Sequence, residues 1–356
     1  MGAPFRVIDT GVMDGRMNIA FDQALIDLHV EGAIPDTIRF LQFQPSVLVG
    51  RHQALSRELH LDYCAANHIQ TVRRITGGGA LYMDQGQLGF ELVFSRKTLG
   101  ITSLSELAKA ICEAAAVGYQ RLGIDAHYRP RNDIEVGGRK ISGTGGFFDG
   151  DTIFYQCTLL IDLDPEVMFS ALNVPQEKLA KKNLETASAR MVTLRELLGD
   201  KTPALREIEE AILEGFRDEL GIAPAWGAVS ELETKTAQDL HDDEIGTDAF
   251  VAEIDDVAGP GPVLSGSTTG PGGTVTAHVR LEDKRIAGVL ITGDFFVTPP
   301  RTVIDLEASL RGIDVKDIAS HVESFFAANS VDLLTVAPAD FSSAIELAIG
   351  SGARAS

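Results

Sequence analysis

Two segments of this 356-residue chain carry residue types suited to handling an anion. In Arg73-Arg74-Ile75-Thr76-Gly77-Gly78-Gly79-Ala80-Leu81-Tyr82-Met83-Asp84, two arginines precede three consecutive glycines. Three glycines bury no side chain, and each loses more backbone freedom on folding than any other residue. They permit positive φ and close approach of backbone N–H groups to a ligand, and the neighbouring cations suit that ligand to being anionic. The competing reading is a glycine-rich turn between strands beside a solvated arginine pair.

The second segment runs from Arg129 to Gly146, Arg-Pro-Arg-Asn-Asp-Ile-Glu-Val-Gly-Gly-Arg-Lys-Ile-Ser-Gly-Thr-Gly-Gly. Gly137-Gly138 is a hairpin signal, so Ile134–Val136 and Arg139–Ser142 are expected as adjacent antiparallel strands. Strand alternation sends Lys140 to the face opposite Arg139 and Ile141. The alternative is a solvent-facing lysine on a two-sided hairpin. Asp133 has a second reading as a turn residue at the hairpin entry, Arg73 as a structural ion-pair partner and Asp84 as a turn former before Gly86.

The elements that must position these segments are legible in outline. Phe5–Ile8, Ile38–Leu41 and Val47–Val49 are expected as strands, and Leu81–Met83 with Gly89–Ser95 as the two arms of a hairpin. Apolar spacing predicts helices over 17–31, Glu58–Asn67, Ser103–Leu122 (capped by Ser103 or Ser105), 165–182 and 203–220. Glycines and prolines between Leu220 and Val263 mark a boundary around an acidic helical piece near 231–255. Beyond it, strands Thr274–Leu281 and Ile286–Gly293 and helices near 303–310, 315–328 and 340–349 form a small unit. The expected fold class is α+β: a mixed or antiparallel sheet with flanking helices, followed by a small α+β domain. The domains are expected at 1–225, with a linker over 226–262 and a C-terminal domain over 263–350.

Composition narrows the function classes. The net charge of −20 argues against nonspecific nucleic-acid binding. Residues 226–356 hold 8 Lys+Arg against 21 Asp+Glu, so −13 of that charge lies in the last third. Arg73, Arg74, Arg129, Arg131, Arg139 and Lys140 nevertheless gather in the two motif segments, which implies an anionic small ligand. No apolar run is long enough for a membrane span, and the first residues lack a signal-peptide pattern. Cys64, Cys112 and Cys157 show neither metal-like nor redox-pair spacing, so a reducing cytoplasm is expected.

Taken in order, these segments resemble the lipoate–protein ligase A family, within the biotin/lipoate protein ligase superfamily. The step Asn132-Asp133-Ile134 followed by Lys140 and Gly143 also parallels the biotin ligase pattern. Asn18-Ile19-Ala20-Phe21-Asp22-Gln23-Ala24-Leu25 resembles the family's first helix, Pro45–Gln53 its following strand and turn, and Thr158–Asp164 the strand closing the site. Gly293-Asp294-Phe295-Phe296 with Leu306-Glu307-Ala308 and Leu310 resembles the accessory C-terminal domain of lipoate ligases.

The resemblance implies a two-step chemistry. A lipoate or octanoate carboxylate attacks the α-phosphate of ATP, giving an acyl-adenylate and pyrophosphate; a lysine of an acceptor protein then takes the acyl group as an amide. Lys140 is the implied catalytic residue, contacting the carboxylate and the α-phosphate. The implied binding set is Arg74, Thr76, Gly77, Gly78, Gly79, Ala80, Asn132, Asp133, Lys140, Ser142, Gly143 and Thr144, with Asn132 and Asp133 orienting Lys140. Mg²⁺ is expected with ATP, held through the phosphates, and no ligand set for it is evident. The implied acceptors are lipoyl domains, such as 2-oxoacid dehydrogenase E2, the glycine cleavage H protein or a dedicated lipoate-binding protein.

The chain departs from the family at Met83, where a His is common, and at Gln156-Cys157-Thr158, where His-Gly-Thr is common. Three alternatives follow. An ATP-independent octanoyl- or lipoyltransferase would use a cysteine thioester, yet Arg129–Asp133, where such enzymes carry the cysteine, has none; Cys157 would be a displaced nucleophile or a small buried hydrophobe. A biotin ligase would share the chemistry without the C-terminal match. A non-catalytic lipoyl-domain-binding subunit would fit the missing histidines but not the intact Lys140.

Overall fold

The computed structural model describes residues 2–101, 103–130, 132–173, 190–255, 261–270, 273–299, 301–333 and 336–353. The chain forms two compact units. The first comprises Met1–Leu48, Leu59–Val72 and Leu81–Phe250, and the second comprises Val49–Glu58, Arg73–Ala80 and Val251–Ser356.

Eight strands of the first unit form a mixed sheet: β1 (Ala3–Met13), β2 (Thr37–Phe43), β6 (Gln87–Ser95), β7 (Ala126–Arg129), β8 (Asp133–Val136), β9 (Arg139–Asp149), β10 (Thr152–Leu160) and β11 (Ile222–Trp226). Their order is β11-β1-β2-β6-β10-β9-β8-β7. β1 runs parallel to both β11 and β2, and the remaining pairs are antiparallel. β3 (Ser46–Val49), β4 (Gln70–Arg73) and β5 (Leu81–Met83) make a separate three-stranded sheet in the order β4-β3-β5.

The two faces of the large sheet are covered by different helices. Asp14 caps the helix Gly15–Val30 by accepting from the Arg16 and Met17 N–H groups. From that helix Asn18 and Asp22 reach Arg39 on β2, which also meets Glu91 on β6. Arg39, Asp22 and Glu91 are all buried; burial pushes both carboxyls up, Glu91 well above the usual range. Three such groups exclude water only because each meets another. On the opposite face, the helix Leu104–Arg121 is capped by Ser103, whose Oγ accepts from Glu106 N at 3.2 Å. The helix Leu205–Leu220 lies against it, and the approach is close: a Cβ at Gly118 or Gly215 would fall 2.7 or 2.3 Å from a backbone oxygen of the other helix.

The acidic piece forms a helix Glu231–Leu240, a π turn His241–Ile245 and a short helix Asp248–Val251. Its first helix packs on Gly15–Val30, and Glu233 pairs with Arg6.

In the second unit, β12 (Leu264–Gly270), β13 (Gly273–Glu282) and β14 (Arg285–Gly293) form an antiparallel sheet. The helices Thr302–Leu310, Ile318–Ala328 and Pro338–Ala353 surround a core that includes Val279, Ile291, Phe295, Leu306, Phe341 and Ile345. The architecture is α+β throughout.

Several elements differ from expectation. Leu81–Met83 and Gln87–Ser95 are not arms of one hairpin: Leu81–Met83 pairs with β3, while Gln87–Ser95 lies between β2 and β10. Alternation cannot distinguish these, because both arrangements show the same period. The helix expected over Glu58–Asn67 is shorter, Leu61–Ala66, after a single turn Leu55–Glu58. The helix expected over 165–182 ends at Ala171, and residues 174–189 lie outside the described residues. The strand expected over Thr158–Asp164 is Thr152–Leu160; Asp164 instead caps the helix Pro165–Ala171.

Candidate functional site

The hairpin of β8 and β9 turns at Gly137 and Gly138, with φ of 57° and 79°. Two successive positive φ values define a tight hairpin turn that side chains oppose. The register is Asp133↔Gly143 and Ile134↔Ser142, then Glu135↔Lys140 and Val136↔Arg139. Ile141 is therefore the extra residue of a β-bulge. In an unbroken strand Lys140 and Gly143, three positions apart, would face opposite ways; the bulge puts Lys140 on the face of Asp133 and Gly143. The Lys140 backbone is held further by Arg190–Val192: its N–H donates to the Arg190 carbonyl at 2.7 Å, and its carbonyl accepts from Val192 N–H at 2.9 Å.

The Lys140 ammonium donates to Asp133 Oδ1 at 2.7 Å. Its side chain lies over Gly143, where a Cβ would come within 2.7 Å of Nζ. Burial would push the Asp133 carboxyl up, but Lys140 and Arg129 together hold it below the usual range. Thr158 on β10 completes the row, its Oγ1 donating to the Gly143 carbonyl at 3.2 Å. Lys140 stays 37% exposed at its side chain. It is thus a partly open cation with one carboxylate contact among the described residues, able to transfer to an incoming anion.

Asn132, Ser142 and Thr144 are placed differently from Lys140. The Asn132 side-chain amide donates to the Thr144 carbonyl, and Thr144 N–H donates to the Asn132 carbonyl at 2.9 Å. Thr144 Oγ1 meets the Tyr155 hydroxyl at 2.6 Å and Cys112 Sγ at 3.4 Å, on the face of the helix Leu104–Arg121. Ser142 is buried on that same face, accepting from Tyr119. Their side chains brace the sheet, and what Ser142 and Thr144 can present on the Lys140 face is backbone. Arg131 lies outside the described residues.

The glycine loop belongs to the second unit. Arg74 is buried and donates to the carbonyls of Gly77 at 3.0 Å and Gly79 at 2.9 Å, and burial brings its guanidinium down to about 10. It remains a cation at neutral pH. Two of the three glycines have a packing cause: a Cβ at Gly77 would sit 2.2 Å from the Phe295 carbonyl, and one at Gly78 3.1 Å from the Phe296 ring at a φ of 98°. Gly78 N–H also donates to the Phe295 carbonyl at 3.4 Å. Gly79 is unlike them, for a Cβ there meets nothing closer than Asp294 Cβ at 3.7 Å. Thr76 is buried, its carbonyl accepting from Arg51 N–H at 2.8 Å, and Ala80 closes the loop half-buried.

Arg73 is an internal strut. Its guanidinium donates to the carbonyls of Gly50, Arg51, Gln53, Val251 and Ile254 over 2.7–3.3 Å. Its expected structural role is present, and these backbone carbonyls supply much of it. Asp84 is a turn former: its Oδ1 accepts from Gly86 N–H at 2.7 Å. Met83 is buried, as is Cys157. Burial pushes all three thiols up, Cys112 to about 12 and Cys157 well above the ordinary range. None is a ready thiolate.

Three features escaped the sequence: the bulge at Ile141, the Arg129 contact to Asp133 and the Phe295–Phe296 contact to the glycine loop. Arg129 left a signal as one cation of the motif, and Phe295–Phe296 only as part of the Gly293–Phe296 motif, with nothing to tie it to the glycine loop. Among the described residues no group of three or more His, Cys, Asp or Glu is arranged to hold a metal ion, and no helix is long and apolar enough to cross a membrane.

Known proteins resemble this chain in sequence and in fold. Octanoyltransferase LipM of Kyrpidia tusciae is 29% identical over 260 residues, 66% of this chain and 94% of its own. Lipoate-protein ligase LplJ of Bacillus subtilis is 28% identical over 289 residues, 80% of this chain and 83% of its own. Relatives thus divide between transferases and ligases at similar distance. A lipoate-protein ligase A structure bound with ATP is 25% identical, with a TM-score of 0.60 over 71% of this chain and 99% of that one. Two further structures share the fold. The bi-partite lipoate protein ligase of Thermoplasma acidophilum, solved in a study that includes its E2 lipoyl domain, has a TM-score of 0.63 at 24% identity over 71% of this chain and 98% of that one. P. falciparum LipL1 in complex with lipoate has a TM-score of 0.71 at 16% identity over 93% of this chain and 96% of that one. The lipoyl protein ligase A/B catalytic domain matches residues 14–217, and the chain belongs to that family of lipoyl- and octanoyl-transferring enzymes.

Proposed function

We propose that this protein is an ATP-dependent lipoate–protein ligase. The observation that carries the reading is a contrast in available chemistry. Lys140 is a half-open cation beside Asp133, whereas each of the chain's three cysteines is buried with its thiol pushed up. A route through a cysteine thioester needs a thiolate; a route through an adenylate needs fixed positive charge.

In the first step a carboxylate oxygen of lipoate or octanoate bonds to the α-phosphorus of ATP, and the bond from that phosphorus to the β-bridging oxygen breaks. Pyrophosphate leaves with the electron pair. Lys140 stabilises negative charge on the carboxylate and α-phosphate, while Asp133 holds it in place until the ligand arrives. Asn132, Ser142, Gly143 and Thr144 shape the strand beneath it. Arg74 and the backbone of Thr76–Ala80 serve the phosphates, with the space over Gly79 the favoured point of approach. Mg²⁺, held by the phosphates themselves, would neutralise part of their charge. In the second step the neutral amine of an acceptor lysine attacks the acyl carbonyl, AMP leaves, and the amine gives up a proton. The acceptors are lipoyl-domain proteins in the cytoplasm. On this reading 1–225 is the catalytic domain, 226–262 a linker and 263–350 an accessory domain.

The test is lipoate-dependent exchange of labelled pyrophosphate into ATP by the wild type and Lys140→Ala. Exchange that the substitution abolishes is the expected result; none with lipoate, octanoate or biotin would overturn the reading. The similarity to LipM favours a second reading, ATP-independent acyl transfer. Octanoyl transfer from a thioester donor without ATP, lost in Cys157→Ala, would replace the first reading with it.

A further inference from the structure

Arg129 ends β7, directly opposite Asp133 in the strand register. Its guanidinium takes the Asp133 Oδ2 atom, leaving Oδ1 for Lys140, and also reaches Glu135 Oε2 at 3.6 Å. Glu135 is the cross-strand neighbour of Lys140. Arg129 therefore engages the carboxylate that pairs with Lys140 and the one on its cross-strand neighbour, the first shared and the second diverted. Arg139, next to Lys140 in sequence, is occupied elsewhere by Glu196.

We infer that Arg129 is a positioning residue: by sharing Asp133 and drawing off Glu135, it keeps Lys140 loosely held and releasable to an anionic ligand. Without Arg129, two carboxylates would face one ammonium. Lys140 would be gripped more tightly before the ligand arrives, and Asp133 would be left uncompensated beside the ligand once Lys140 had turned to it. With Arg129 present, the carboxylate keeps a counter-charge in both states. The nature of the anion rests on the ligase reading, but the grip on Lys140 does not.

The experiment is competitive amine labelling of the full chain with trace acetic anhydride, read by mass spectrometry, comparing Lys140 with Lys97. Lys97 is an exposed lysine paired with Asp151, and it serves as the internal reference. In Arg129→Gln, labelling of Lys140 relative to Lys97 is expected to fall about three- to tenfold at low salt, the range of a partly exposed ion pair. The effect should shrink at 1 M salt, and Arg129→Lys should restore most of it. Glu135→Gln, which leaves Arg129 in place, should move Lys140 the opposite way and keeps the test available if Arg129→Gln fails to fold. Arg121→Gln, at a surface pair between helices, should leave the ratio unmoved. An unchanged or increased ratio in folded Arg129→Gln, or a decreased one in Glu135→Gln, overturns the inference. In the exchange assay Arg129→Gln should lower kcat by about tenfold with a smaller change in the KM for ATP. If the wild type shows no exchange while the labelling shift holds, the ligase reading fails and the role of Arg129 stands.

Discussion

The Lys140 hairpin and the glycine loop are both short, polar and glycine-rich, yet they are held in opposite ways. Lys140 is positioned by Asp133, Gly143 and Arg190–Val192, and Thr158 braces Gly143 from the adjoining strand. Its contacts come largely from neighbouring strands of one sheet. Gly77–Gly79 and the arginines before them are set by residues from 49–53, 251–254 and 293–296. A site made by cross-strand neighbours leaves its logic in a short stretch of sequence. A loop set by distant segments shows only its composition, and its glycines serve protein packing as much as ligand approach.

Four experiments sharpen or break this comparison. The largest effect belongs to Lys140→Ala, which should lower pyrophosphate exchange by about a hundred- to a thousandfold, the cost of losing a fixed charge donor at a reacting centre. Its thermal midpoint should barely move, since the side chain is partly open and its pair contributes little to folding. A large loss of stability would make Lys140 a structural lysine.

Arg73→Gln should do the reverse. Removing a buried guanidinium that serves five carbonyls should cost about 3 kcal/mol or more in urea unfolding. A loss below about 1 kcal/mol would mean that the strut is dispensable.

His52 tests the second unit by pH. It is buried and stacked on Phe295 at 5.3 Å, and burial, with Arg51 and Arg73 nearby, brings it down to about 3. The unfolded chain takes a proton on this ring below about pH 6.5, whereas the folded chain does not until about pH 3. Wild-type stability is therefore lost on acidification through that window by a route that His52→Phe lacks. Between pH 7.5 and pH 5 the variant should gain about 2 kcal/mol relative to the wild type. A gap independent of pH would show that the ring is protonated in the folded state.

The glycines give the finest distinction. Gly77→Ala must displace the Phe295 carbonyl and should cost about 1–3 kcal/mol. Gly79→Ala should leave stability within about 0.5 kcal/mol, because its Cβ has room, while lowering exchange. Equal stability losses at both positions would remove the distinction between packing glycine and ligand-facing glycine.

Much of the frame is legible in local sequence. Ser103 caps its helix, Gly137-Gly138 turns its hairpin and the helix expected over 17–31 runs Gly15–Val30, because capping, turn chemistry and apolar spacing act within a few residues. The proximity of Asp133 to Lys140 is legible in part, since a hairpin register brings its own two strands together. The pairing of β1 with β11 is not, nor is the separation of Leu81–Met83 from Gln87–Ser95, because strand partners far apart in sequence leave no periodic trace.

The sequence by itself determined the inventory: one hairpin carrying Lys140, one glycine loop behind two arginines, three cysteines and a strongly acidic C-terminal third. Tertiary structure alone decided which side each group serves. The extra residue at Ile141 turned Lys140 onto the face of Asp133, close approach of Phe295 and Phe296 bound two of the three glycines, and burial pushed all three thiols up. The reason is one of range. Backbone preference is settled between adjacent residues, whereas a side chain's facing, exposure and charge depend on what the rest of the chain brings against it.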